Sequence, residues 1–192
     1  MKQKSIGFLT LNLEYISMKK LLVFFIPLLF SPTLNAQKDF YAKHSFTKAD
    51  TLRGMLRPER TCYDVTFYDL NVAIDIEKKF IKCYVDIFFD VVEDFSSMQV
   101  DLFKNMVINQ ITCYDKVLSY DRVFDAVFVQ LPEIQRAGTS GSIRVFYEGY
   151  PREAINAPWD GGFIWKRDEM GNHWAAVACE GDGASLWWPN KD

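Results

Sequence analysis

From Tyr63 onward the apolar residues recur at every second position, and this period of two is the strongest constraint on the fold. Tyr68, Leu70, Val72, Ile74 and Ile76 alternate with Asp69, Asn71, Ala73 and Asp75. Successive side chains of an extended strand point to opposite faces, so such a run is a half-buried β-strand rather than an amphipathic helix. Ile81, Cys83, Val85, Ile87, Phe89 and Val91 repeat the pattern after a short polar stretch, Asp75 to Lys79. Two long alternating runs joined by a polar turn predict a β-hairpin. Its outer face carries Phe80, Tyr84 and Phe88 among Lys82, Asp86 and Asp90, a pattern that anticipates a covering second layer.

Further short strands are expected over 98–102, 106–113, 123–131 and 142–150. Asp121-Arg122, Pro132 and the stretch 137–141 punctuate them. A last hairpin is predicted from Gly161–Trp165 and His173–Cys179 across the turn 168–172. No amphipathic helix follows residue 60. The spacing of strands and turns therefore predicts an all-β chain, an antiparallel β-sandwich or open saddle-like sheet.

The front of the chain reads differently. Lys19 and Lys20 precede the apolar run Leu21 to Phe30, and Ala36 offers a small residue at a cut site before Gln37. This is the layout of a secretory signal peptide over 18–36, and its apolar run is too short to span a bilayer. A signal normally begins at the N-terminus, so residues 1–17 read as an upstream leader from a misassigned start. Residues 37–57 read as a polar lead-in with some helix, and the β-domain is assigned to 58–192. The expected location is exported, periplasmic or secreted, with no membrane span after signal cleavage.

Charge narrows the function. The chain holds 22 basic and 25 acidic residues, of which four basic and one acidic fall in the first 36, so the remainder carries a net −6. Nucleic acid binding needs clustered Lys and Arg and is not expected. The four cysteines, Cys62, Cys83, Cys113 and Cys179, have no zinc spacing; export permits disulfides among them, and burial as free thiols fits equally well. His44 and His173 lie in the lead-in and beside a turn. Nothing resembling H-E-x-x-H, a phosphate loop or a nucleophile elbow occurs, since Ser185 lacks a second glycine and a placed histidine. A metal site is not expected in this chain.

The tail 177–192 crowds Trp187, Trp188, Pro189, three acids and two glycines into a terminal stretch. It resembles the end of the N-terminal β-domain of the aminopeptidase N and leukotriene hydrolase family of zinc metallopeptidases. That family carries G-[FLY]-[YW], a hairpin, T-Q-[FCM]-[EQ], then A-R and F-P-C-x-D-E-P. Gly162, Phe163, Ile164 and Trp165 match the first part. Val177, Ala178, Cys179 and Glu180 occupy the second, Ala184 and Ser185 the third, and Trp188 to Asp192 the last. Residues 68–75 and 143–149 resemble two of the family's strands, and coverage is roughly 58–192. The departures are Val177 and Ala178 for Thr-Gln, Ser185 for Arg and Asn190 for Cys. The motifs G-x-M-E-N and H-E-x-x-H, which lie in the family's catalytic domain, are absent.

The resemblance implies a fragment of an exported zinc metallo-aminopeptidase. Glu180 would hold the free α-amine of the peptide substrate through a charge-assisted hydrogen bond. Cys179 and Gly181 would be substrate-site backbone beside it, and Gly181 and Gly183 would take a positive-φ path. Trp187 and Trp188 would pack at the seam with a downstream catalytic domain, where zinc is expected; this piece alone would hydrolyse nothing. Asp160, Gly161 and Gly162 read as a plain turn. The alternative is a stand-alone secreted β-sandwich binding module for a glycan or protein ligand, its aromatic residues (16%) forming a stacking platform.

Overall fold

The computed structural model describes residues 45–191. The leader, the signal segment, His44 and Asp192 lie outside the described residues. Thr47 opens helix α1 (Lys48–Gly54) with a capping box: its hydroxyl accepts from the Asp50 amide while the Asp50 carboxylate accepts from the Thr47 amide. Pro58 starts the short helix α2 (Pro58–Thr61), where its missing N–H costs nothing.

The first hairpin forms as the alternation requires. Strand β1 (Tyr63–Asp75) pairs antiparallel with β2 (Phe80–Val91), from Tyr63 opposite Val91 to Asp75 opposite Phe80. On β2 the six residues of the apolar series are all buried. On β1 the series weakens: a bulge between Val65 and Phe67 bends the strand, and Val72 and Ile74 remain exposed near the turn.

After β2 the chain leaves this sheet to lay down β3 (Phe95–Asp101), then returns with β4 (Met106–Cys113) and β5 (Lys116–Val117). Strands β6 (Ser119–Val123) and β7 (Ala126–Gln135) join β3, and β8 (Ser140–Gly149) inserts between β2 and β4. The result is a five-stranded sheet ordered β1-β2-β8-β4-β5 and a three-stranded sheet ordered β3-β7-β6. One core joins them: Val85, Ile87, Ile143 and Val145 of the first pack with Met98, Val100, Val127 and Val129 of the second. Each such side chain contributes about 1.5–3 kcal/mol on burial. The class is all-β and antiparallel, as the alternation predicts.

Two of the expected breaks fall inside strands. Asp121 and Arg122 belong to β6, because the turn is made by Phe124 and Asp125 instead, with Phe124 at φ 57°. Pro132 lies within β7 at a bulge opposite β3, between the pairs Ser97–Gln130 and Phe95–Gln135, where its missing donor is tolerated. The outer aromatics of the hairpin gain no covering layer among the described residues: Phe88 pairs with Phe67, and Tyr84 lies under the Arg144 guanidinium.

A buried ion pair ties the helices to the sheets. Arg60 Nη2 lies 2.7 Å from Asp101 Oδ2, with both side chains 2% exposed. Gln99 Nε2 donates to Asp101 Oδ1 and to the Leu52 carbonyl of α1. Asp101 also exchanges backbone hydrogen bonds with Asn190, so the tail enters the same knot. All four cysteines are unpaired thiols, and Cys62, Cys83 and Cys113 are buried. Among the described residues no helix is long and apolar enough to cross a membrane.

Candidate functional site

Strands β9 (Gly162–Arg167) and β10 (His173–Ala178) form the last hairpin, and its Phe163, Trp165 and Val177 pack against the common core. The chain leaving β10 turns sharply. The Gly183 amide donates to the Cys179 carbonyl at 3.0 Å and the Asp182 amide to the Glu180 carbonyl at 2.9 Å. Gly181 (φ 72°) and Gly183 (φ 76°) supply the left-handed backbone this turn needs.

Beyond the turn, a 3₁₀ segment (Ala184–Leu186) anchors the tail. The Phe103 amide donates to the Ser185 carbonyl, and Leu186 is fully buried. Trp187 meets Phe163 edge to face, Trp188 meets Tyr68 in the same way at 4.7 Å, and Lys191 Nζ donates to the Tyr63 carbonyl. Leu186 is buried and Trp187 and Trp188 are half-buried, packing on β1 and β9 of their own domain. The reason is reach, since the bridge from Asn190 to Asp101 draws the whole tail across the sheet edge.

Residues 160–162 are likewise more than a plain turn. Phe163 donates to the Arg152 carbonyl and accepts from the Ala154 amide, a lone parallel bridge at Glu153. A Cβ on Gly162 would come within 2.5 Å of the Ala154 nitrogen, so only glycine admits this approach. Arg152 Nε donates to the Gly161 carbonyl at 2.8 Å. The Asp160 carboxylate accepts from the Ile155 and Asn156 amides, which hold it below the ordinary carboxylate value. The loop 155–159 thereby stands up beside the Glu180 turn, presenting Ile155 (96% exposed) and Trp159 (73% exposed).

Loop and turn enclose an open concavity of about 550 Å³. Ile155 and Trp159 give it an apolar side, and Glu153, Asp160, Glu180 and Asp182 face it with a single cation, Arg152. Three of these acids have partners. Glu153 pairs with Lys79 at 2.8 Å, Asp160 holds backbone amides, and Asp182 lies between Arg152 and Arg53. The Glu180 carboxylate has no hydrogen-bond or ion-pair partner among the described residues, and it is exposed at the pocket wall.

Of the residues singled out from sequence, Glu180 and Gly181 line this concavity, whereas Cys179 is half-buried behind it and contributes its carbonyl to the turn. Sequence reading missed Arg152, Ile155 and Trp159. The only local signal was an aromatic residue and an acid just ahead of the paired glycines. Among the described residues no group of three or more His, Cys, Asp or Glu is arranged to hold a metal ion.

Several solved structures share this architecture. A two-domain M1 zinc metallopeptidase, a mutant bound to L-tryptophan, superposes with a TM-score of 0.53 at 20% identity, over 69% of this chain and 30% of that one. An M1 zinc metallopeptidase mutant from Deinococcus radiodurans bound to a Tyr-Ser-Ala substrate gives 0.53 at 21% identity, over 68% and 29%. The M1 zinc metallopeptidase from the same organism gives 0.52 at 18%, over 69% and 30%. The fold is shared with part of the M1 zinc metallopeptidases. This chain spans about 30% of the length of those it matches. No protein-family model and no curated protein matches the sequence.

Proposed function

We propose that this chain is the N-terminal β-domain of an exported zinc metallo-aminopeptidase, in which Glu180 receives the free α-amine of a peptide. One observation carries the reading: among the acids around the concavity, Glu180 alone lacks a partner within the described residues. A carboxylate left free beside an acidic, one-sided pocket attracts a cation, and an ammonium group satisfies it through charge-assisted hydrogen bonds. Asp182 and Asp160 act as positioning residues: Asp182 joins the turn to Arg152, and Asp160 holds the loop in shape through the Ile155 and Asn156 amides. The shared fold and the order of Gly162-Phe163, Glu180, Ala184 and Trp188-Pro189 support the same assignment.

The described residues offer no ligand set for zinc. On this reading the zinc of the enzyme would be held by a downstream catalytic domain. The contribution of this chain is selection: an internal peptide bond has no ammonium group for Glu180, so the wall favours N-terminal residues. Residues 18–36 would direct export.

The test expresses the reading frame continued through the codon for Asp192. Chelator-sensitive release of an amino acid from an aminoacyl fluorogenic substrate is expected. A hydrogen bond to a charged group is worth about 1.5–3 kcal/mol, so Glu180→Gln is expected to lower kcat/KM about 10- to 100-fold. A continued frame without such activity, or a Glu180→Gln enzyme with unchanged kcat/KM, overturns the reading.

A further inference from the structure

The outer face of the five-stranded sheet carries a second concavity, remote in sequence from the Glu180 turn. It measures about 420 Å³ and is lined from β2, β4, β8 and the β4–β5 turn. Cross-strand pairing builds its floor in rows. Asp86, Arg144 and Thr112 stand side by side on β2, β8 and β4, and Tyr84, Phe146 and Gln110 form the next row.

The central row is locked. Arg144 places Nε and Nη2 on the two oxygens of Asp86, each at 2.7 Å, and lies 4.4 Å over the Tyr84 ring. That arrangement leaves the guanidinium's third nitrogen outside the pair. The Gln110 amide and the Thr112 and Ser142 hydroxyls, which border the same space, have no hydrogen-bond partner among the described residues. One fixed cation and three uncommitted polar side chains are thus gathered around a volume suited to a small ligand.

The rim supplies the second observation. Tyr114 and Asp115 are the two loop residues between Cys113 and Lys116, and both have positive φ, 46° and 65°. Such a two-residue hairpin favours Asn-Gly, and a bulky tyrosine in that conformation is an outlier. The tyrosine is nevertheless 77% exposed, so packing does not account for it. A strained, exposed aromatic at the lip of a polar pocket points to a ligand.

We propose that this concavity binds a neutral oligosaccharide, with Tyr114 stacking on a sugar ring and Gln110, Thr112, Ser142 and Arg144 hydrogen-bonding its hydroxyls. A pyranose presents both surfaces needed: an apolar C–H face for an aromatic ring, and hydroxyls that donate and accept at once. A docked protein is the poorer fit. Protein interfaces lose charge at the centre and keep it at the rim, whereas here the ion pair is central and the aromatic peripheral.

The experiment is amide chemical-shift mapping of the chain against three probes: chitohexaose, cellohexaose and mannohexaose. The expected result is millimolar or tighter binding of at least one probe, with shifts confined to residues 110–116 and 142–146. Tyr114→Gly is the decisive variant, because glycine relieves the positive φ and keeps the protein folded. It is expected to melt at a higher temperature than the parent and to bind at least about 10-fold more weakly, an RT ln 10 change of about 1.4 kcal/mol. Absence of shifts with all three probes at about 10 mM, a concentration at which a millimolar site is nearly full, overturns the proposal. So does binding that maps elsewhere, or affinity that Tyr114→Gly leaves unchanged.

Discussion

Gly162 is where the candidate site depends most directly on backbone fit. A Cβ built there would lie 2.5 Å from the Ala154 nitrogen, 2.7 Å from the Arg152 carbonyl oxygen and 2.7 Å from the Glu153 carbonyl carbon. All three are main-chain atoms, so no side chain can swing aside. Restoring ordinary contact at 3.4 Å moves the 152–154 segment by about 0.9 Å. That displacement breaks the bridge made by the Phe163 and Ala154 amides, two hydrogen bonds worth about 1 kcal/mol each. Alanine at φ 152° adds about 1–3 kcal/mol of backbone strain, offset by about 0.4–1 kcal/mol of lost unfolded-state entropy. Gly162→Ala is therefore expected to lose about 3–4 kcal/mol in denaturant unfolding followed by tryptophan fluorescence, and about 10 °C in Tm. Gly171→Ala is the control: it carries positive φ (85°) with nothing within 4 Å of the new Cβ, and isolates the strain. Gly161→Ala is intermediate, since its nearest neighbours are the side chains of Leu186, Asp182 and Arg152. A Gly162→Ala loss within about 1 kcal/mol of the Gly171→Ala loss would refute the close-approach argument, because the clash term alone exceeds that difference.

Other consequences follow from the core and its thiols. Arg60→Met leaves Asp101 buried without its cation and is expected to cost about 3–5 kcal/mol, while the double variant Arg60→Met, Asp101→Leu recovers most of it; equal losses in urea unfolding would show the pair is not desolvated. Burial pushes the Cys62 thiol from 9.0 up to about 11. The folded chain therefore holds a proton that the unfolded chain releases, so stability is level below about pH 9 and falls as pH rises through about 11. Unfolding midpoints measured from pH 8 to 11 should show this slope, and Cys62→Ala should make it shallower, the buried Cys83 and Cys113 thiols, raised by burial in the same way, supplying the rest. Under native conditions at pH 8 a maleimide should label Cys179 first, because the other three thiols are buried; simultaneous labelling of all four would contradict the packing.

The hairpin 63–91 was legible because burial on one face writes itself directly into a period of two. The same rule failed where geometry is non-local. Asp121 and Arg122 look like turn residues, yet Arg122 turns its guanidinium inward to the Leu102 and Met106 carbonyls, so a charge in sequence becomes a strand residue in space. Pro132 marks a bulge rather than a break, because its neighbours still pair with β3 on either side. Arg60 and Asp101 are 41 residues apart, and no local pattern announces that they meet. Where Trp187 and Trp188 dock on this domain was not legible in the tail; the Asn190 bridge and Lys191 contacts decide that. Glu180 was legible only through family resemblance. Arg152 and Trp159, which complete its pocket, belong to a stretch without periodicity.

The two concavities differ in a way that bears on both assignments. Around Glu180, opposite charges pair so as to hold backbone segments: Asp182 joins the turn to Arg152 and Arg53, and Asp160 gathers the loop that carries Ile155 and Trp159. Among the described residues one carboxylate, that of Glu180, has no partner, and the proposed function assigns it a ligand of opposite charge. On the outer sheet face the charges cancel within the floor, since Arg144 and Asp86 satisfy each other, and what remains is a set of neutral donors and acceptors beside an exposed ring. A floor already neutral gives an ionic ligand little to gain and rewards one that exchanges many hydrogen bonds with water for equivalent bonds to protein. If both proposals hold, one domain carries an ammonium-selective wall beside the β9–β10 hairpin and a hydroxyl-selective surface on its five-stranded sheet, because strand register fixes which side chains neighbour one another and pairing decides which of them stay free.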